Sequence, residues 1–224
     1  MKEWTLRLGT FVLLLGVAGT LTAQDPKGAA AAQAPQASQP PKAASPDADG
    51  YFPLTPKTKW IYKVQDQTVE VLVDKNEKFK EETCTKVDTL VSGKVVASEL
   101  YCVRSDGLYR VKVKDDEISP PVRVLALPIQ KGYVWDVNSK VGAQAGQLVR
   151  GKFQIVNDKE KIKVPAGEYE AVVVEGVDMD VAGTKTTVRL WFVKGIGLVK
   201  LTYKIADTES TLELEKYEPA TNRG

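Results

Sequence analysis

The chain has 224 residues, with 31 Lys plus Arg against 29 Asp plus Glu and no histidine. Basic and acidic residues alternate without forming blocks, which leaves no electrostatic footprint for nucleic acid or for an anionic membrane surface. The missing imidazole removes Ser-His-Asp and Cys-His catalysis, His-ligated zinc or iron, and histidine acid-base work near neutral pH.

Lys2 and Arg7 precede an apolar run of 16 residues, 8–23, that contains "FVLLLGVAG". This is the layout of a secretory signal peptide, and the run is shorter than the roughly 20 residues a spanning helix needs. Cleavage is expected after Ala23, giving a signal peptide at 1–23. Leu21 is larger than the residue usually found at that place, so an uncleaved N-terminal membrane anchor stays open as the alternative. No Cys lies near the site, which argues against a lipid-modified N-terminus. The expected location is extracytoplasmic, periplasmic or secreted.

Residues 24–50 change in character: 18 of 27 are Ala, Pro or Gln, with no Val, Ile, Leu, Met or aromatic residue. With nothing to bury against the entropy of ordering, this stretch is expected to be a disordered spacer. A single domain is predicted over 51–218, a length that buries most of its apolar surface, followed by a short tail at 219–224. Its 26 basic and 25 acidic residues leave a net charge of +1.

Within that domain, period-two alternation recurs. "TVEVLVD" places Val69, Val71 and Val73 on one face, and "GLYRVKVK" does the same with Tyr109, Val111 and Val113. "GLVKLTYKI" sets Val199, Leu201, Tyr203 and Ile205 against Lys200, Thr202 and Lys204, and "TLELEK" aligns Leu212 with Leu214. Each predicts a strand with one face on a core and one in water. Hairpin signals fall at Ser92-Gly93-Lys94, Ser105-Asp106-Gly107, Asn157-Asp158 and Ala182-Gly183. No stretch holds a helical period over three turns, and Val, Ile and Thr abound. The expectation is an all-β fold of about a dozen strands, an antiparallel, strongly curved sheet forming a sandwich or a partly closed barrel, with little helix.

Cys84 and Cys102 lie nine residues either side of Gly93. A hairpin with an odd-length loop centred there sets them opposite each other, as a cross-strand disulfide requires, whereas an even-length loop breaks the alignment. A redox pair lacks the C-x-x-C spacing. In "VPAG", Pro165 suits the second position of a β-turn and Gly167 the fourth, so the corner bends the chain between two strands. Beyond it, Tyr169, Ala171 and Val173 alternate with Val172 and Val174, so both faces of the strand are expected to be covered.

Gly195-x-Gly197 precedes an alternating strand rather than the helix a phosphate cradle needs, so it is taken as a hairpin bend. Asp178 with Asp180, and Asp115, Asp116 and Glu117, do not match a calcium loop and are assigned to solvent. No cofactor or metal is expected. Trp60, Tyr62, Tyr133, Trp135 and Trp191 lie in predicted strands and are candidates for a ligand groove, with core packing as the competing account.

The segments "YFPLTPKTKWIYKV", "VPAGEYEAVVVE" and "WFVKGIGLVK" resemble the TapB-like group of exported bacterial β-proteins, which open with an aromatic-Pro-Leu segment leading into a Trp-containing strand. The resemblance implies a β fold and an extracytoplasmic location, and it transfers no catalytic residue. Together these features predict a non-enzymatic cell-envelope protein, a binding or structural module whose partner is an envelope protein or an apolar ligand. A carrier of a lipid-like ligand is the closest alternative. A carboxylate-based hydrolase is the remaining one, and it needs two carboxylates converging in a cleft.

Overall fold

A computed structural model describes residues 50–142, 146–206 and 208–220. The expected signal peptide and nearly all of the spacer lie outside the described residues, as do residues 221–224 of the tail. The described chain forms twelve strands: β1 (Lys59–Val64), β2 (Gln67–Phe79), β3 (Glu82–Val91), β4 (Lys94–Arg104), β5 (Gly107–Val113) and β6 (Asp116–Ala126). They continue as β7 (Val134–Val141), β8 (Gln147–Val164), β9 (Gly167–Val181), β10 (Thr184–Val193), β11 (Gly197–Ile205) and β12 (Thr208–Glu218).

Each strand pairs antiparallel with its sequence neighbours, and β1 pairs with β12, so the sheet closes into an up-and-down barrel. Closure replaces the sandwich alternative and removes the free edges that a sandwich would carry. The strand count agrees with the turn spacing.

A barrel of this size is wider than the eight strands whose side chains just fill the interior. Large aromatics occupy the extra room: Trp60 and Phe192 are essentially buried, and Phe52 stacks on Trp60 with ring centroids 5.3 Å apart. Phe52 belongs to the segment ahead of β1, which the Gly195 N–H holds at the barrel end by donating to the Gly50 carbonyl. The outer wall carries cross-strand ion pairs such as Lys59–Glu218, Lys86–Asp74 and Lys200–Glu213, the reverse of the apolar band on a lipid-facing barrel.

Several local expectations hold. Val193 pairs with Gly197, so Gly195 lies in a three-residue hairpin bend. Val164 pairs with Gly167, which leaves Pro165 and Ala166 as the corner between β8 and β9. The Ala166 N–H then reaches the Leu214 carbonyl on β12 at 2.9 Å, so this corner also ties non-adjacent strands together. Residues Ala171, Val172, Val173 and Val174 are all buried, as a strand covered on both faces requires.

Three expectations are corrected. Asn157-Asp158 is not a hairpin: it lies inside the 18-residue β8, where register shifts between Ile155 and Asn157 and between Asn157 and Glu160 absorb the turn-prone residues as bulges. The loop between the cysteines is even, not odd. Val91 pairs with Lys94 across Ser92 and Gly93, both at positive φ (51° and 73°), as a tight two-residue hairpin turn demands. A bulge at Val96 takes up the leftover residue, so Thr85 faces Tyr101 and the neighbouring Cys84 and Cys102 still meet. They form a disulfide with Cα atoms 4.4 Å apart.

The third correction concerns β5. Arg110 faces Tyr101 and Lys112 faces Leu100, which makes Val111 a bulge and breaks the alternation. Tyr109 and Val111 therefore pack outside the barrel with Cys84, Leu100, Cys102 and Phe79, while Val113 joins Leu108 in the main core.

Candidate functional site

The aromatic filling is incomplete. A cavity of about 160 Å³ remains inside the barrel, and every strand except β7 contributes to its wall. Most of that wall is apolar: Val71, Val87, Leu108, Met179, Leu190 and Leu212 face it from six different strands. Phe52 closes part of it from the segment before β1.

Polar chemistry in the cavity is concentrated on β4 and β5. Glu99 and Tyr101 alternate inward on β4, and the Val111 bulge keeps Arg110 inward opposite Tyr101. Arg110 Nη2 donates to Glu99 Oε1, and Tyr101 Oη donates to Glu99 Oε2 at 2.7 Å. The carboxylate is thus held at both oxygens. Arg110 is 4% exposed, and its buried Nε–H has no hydrogen-bond partner. An unmet buried donor of this kind costs about 1–3 kcal/mol.

Burial pushes the Tyr101 hydroxyl well above its ordinary value; the Glu99 charge pushes the same way and Arg110 opposes it. Burial likewise raises Tyr62, whose hydroxyl donates to the Leu198 carbonyl at 2.7 Å. Both tyrosines therefore stay protonated across the neutral range and both protons are already committed.

Of the five aromatic candidates for a groove, Tyr62 lines this cavity and the other four do not. Trp60 is core: its indole N–H donates to the Ile196 carbonyl at 2.6 Å. Trp135 is buried beside Phe153, and its indole N–H reaches the Arg123 carbonyl at 2.7 Å. This bond links β6 to β7, whose backbone pairing is confined to Ile118–Val141 and Ser119–Lys140. Pro120 and Pro121 leave β6 without two N–H donors there. Tyr133 stacks on Trp135 from the surface and is 40% exposed. Trp191 belongs to the outer wall, where its N–H donates to Glu160 Oε1 at 2.8 Å and Arg189 and Lys200 lie over its ring.

The acidic clusters have local partners. Asp180 accepts from the Gly183 N–H and so supports the Ala182-Gly183 turn. Glu117 pairs with Lys80. Among the described residues no group of His, Cys, Asp and Glu is arranged to hold a metal. Glu99 is the carboxylate in the cavity wall, one short of the pair that glycoside-type hydrolysis uses.

Sequence reasoning missed Phe52, Glu99, Tyr101 and Arg110. The aromatic pair before the first strand was a usable signal for Phe52. Glu99 and Tyr101 were hidden by Leu100 and Cys102, apolar residues on the opposite face of β4 that look like the core-facing set, and Arg110 by the Val111 bulge, which breaks the alternation of β5.

No family model matches the chain, and no curated protein sequence matches it. Two solved structures are similar in fold. One, from Bacteroides fragilis NCTC 9343, is assigned as an exported protein with a YmcC-like fold. It superposes with a TM-score of 0.53 at 13% identity, over 75% of this chain and 98% of that one. The other, assigned as a lipoprotein of Parabacteroides distasonis ATCC 8503, gives 0.51 at 15% identity, over 75% and 99%. At these identities the likeness is one of fold.

Proposed function

We propose that this chain is an exported cell-envelope protein that works by binding, and that its ligand is a small apolar molecule, or the apolar end of a larger one, held inside the barrel. The observation that carries this reading is the cavity of about 160 Å³ behind a predominantly apolar wall. Its size matches the roughly 150 Å³ that accommodates benzene in an engineered apolar cavity. One ring or a short acyl chain fits; a whole two-chain lipid does not.

The export assignment draws support from the signal-like leader and from a disulfide suited to an oxidising compartment. Its fold neighbours are assigned as an exported protein and a lipoprotein, in line with this. The resemblance to the TapB-like group points the same way. Nucleic acid is not a partner in this reading, because the charges alternate in sign over the surface.

Native mass spectrometry of the protein purified from its own envelope tests the proposal. A bound species released by organic solvent, together with saturable binding of an apolar fluorescent probe to the folded protein, is the expected result. Protein that carries nothing and takes up no probe would remove the carrier reading.

A further inference from the structure

A ligand held in this cavity has to reach it, and both ends of the barrel are filled. Phe52 and Trp60 stack across one end. Towards the other, Val69, Ala97, Val113, Val141, Val181 and Tyr203, from six strands around the ring, are all buried. The wall is the remaining route, and it is not uniformly knit. Among the described residues, every neighbouring pair of strands but one is matched at five or more backbone registers. The exception is β6 with β7, where pairing stops after Ile118–Val141 and Ser119–Lys140, at the point where Pro120 and Pro121 offer no N–H.

Side-chain contacts that bridge the rest of this seam meet at Arg123. The Trp135 indole N–H donates to its carbonyl at 2.7 Å. Its guanidinium lies over the rings of Tyr133 and Trp135 and donates to the Tyr133 hydroxyl at 3.3 Å. The rings of Tyr133, Trp135 and Phe153 form a file, with centroids 5.9 Å and 5.7 Å apart. Tyr133 is exposed, Trp135 is buried, and Phe153 lines the cavity. Val124, next to Arg123 on β6, lines it too. The file therefore runs from solvent to the cavity at the one seam that lacks a continuous ladder.

We infer that the seam between β6 and β7 is the ligand's portal and that Trp135 is its gate. This rests on the binding reading above and adds the route by which the ligand comes and goes. Swinging the Trp135 indole breaks one hydrogen bond and its ring contacts, whereas parting any other seam breaks a ladder of backbone bonds. Tyr133 and Arg123 hold the indole from the solvent side, and neither lines the cavity. They set how often the gate opens, not how tightly the ligand is held.

The test separates rate from affinity. Toluene is titrated into the folded, disulfide-intact protein, with association and dissociation rates taken from NMR exchange spectroscopy, for the wild type, Tyr133→Ala and Trp135→Phe. The second variant keeps a ring against Phe153 and loses the N–H. Each should raise both rates about fivefold, the ratio worth one hydrogen bond, and leave the dissociation constant within about twofold. Trp191→Phe, which removes an indole N–H from a fully paired part of the wall, should change neither rate. Unchanged rates in both seam variants overturn the inference and leave the carrier reading standing. So does an equal acceleration in Trp191→Phe, or a faster dissociation alone with a matching loss of affinity, which makes Trp135 part of the binding wall. Wild-type protein that binds no toluene removes the carrier reading and the portal with it. Should Trp135→Phe fail to fold, Tyr133→Ala, at an exposed position, decides alone.

Discussion

Two Arg–Glu–aromatic triads in this barrel have the same connectivity and opposite surroundings. Inside, Arg110 pairs with Glu99, which also accepts from Tyr101. On the outer wall, Arg189 pairs with Glu160 at 2.9 Å, which also accepts from Trp191. In both, the arginine Nε is buried without a partner. The inner pair has side chains 5% and 18% exposed, the outer pair 39% and 29%. The same chemistry is therefore a solvated brace in one place and a desolvated pair in the cavity wall in the other. What distinguishes them is the closure of the sheet, not the residues.

Raising the pH should have the largest effect, and of the two triads it acts on the inner one alone, because Tyr101 titrates and Trp191 does not. A tyrosine whose folded value is raised keeps its proton after the unfolded chain has lost it. Its stabilising contribution is complete below about pH 10 and fades as pH rises through the folded value. Tyr62 and Tyr101 are pushed up by burial, and Tyr109 is pushed up to about 12 by burial and by its bond to Asp106. Urea midpoints should fall steadily from about pH 10 upward, with Tyr62 and Tyr101 ionising only as the fold is lost, so that part of the tyrosinate absorbance of the eight tyrosines appears with unfolding. Tyrosinate absorbance that reaches its full value in the folded state would contradict the burial.

Glu99→Gln should come next, costing about 3–5 kcal/mol in urea unfolding, because it leaves the Arg110 charge uncompensated in the interior. Reducing the disulfide should cost about 3 kcal/mol in the chain-entropy account. Cys102 directly follows Tyr101 on β4, so reduction combined with Glu99→Gln should be non-additive. Reduction combined with Glu160→Gln should add simply. Glu160→Gln alone is the smallest effect, about 1 kcal/mol or less given its exposure, and it should vanish in 1 M salt. A Glu160→Gln penalty equal to that of Glu99→Gln would erase the distinction between the two triads.

How far the fold could be foreseen follows from which signals are local. Alternation in β2, β11 and β12 and the glycine turns at Gly93, Gly183 and Gly195 depend on neighbouring residues only, and these elements were legible. The disulfide was legible too, although through the wrong geometry: an odd spacing can be met by an odd loop, or by a tight two-residue turn plus one bulge. Asn157-Asp158 misled because turn-prone residues also suit bulges, and only the partner strand decides between the two. The cavity was out of reach for the same reason. Arg110 faces inward because Val111 is a bulge against β4, a fact about two strands that no single stretch contains.

The ring also sets the first strand beside the last. Lys59 at the start of β1 lies opposite Glu218 at the close of β12, and Lys59 bridges to that glutamate at 3.1 Å. Both ends of the strand ring therefore leave from the same rim, side by side. A short peptide joining them, with new termini cut at Ser92-Gly93, would give a circular permutant that keeps every strand pairing and exports the opposite rim as the point of attachment.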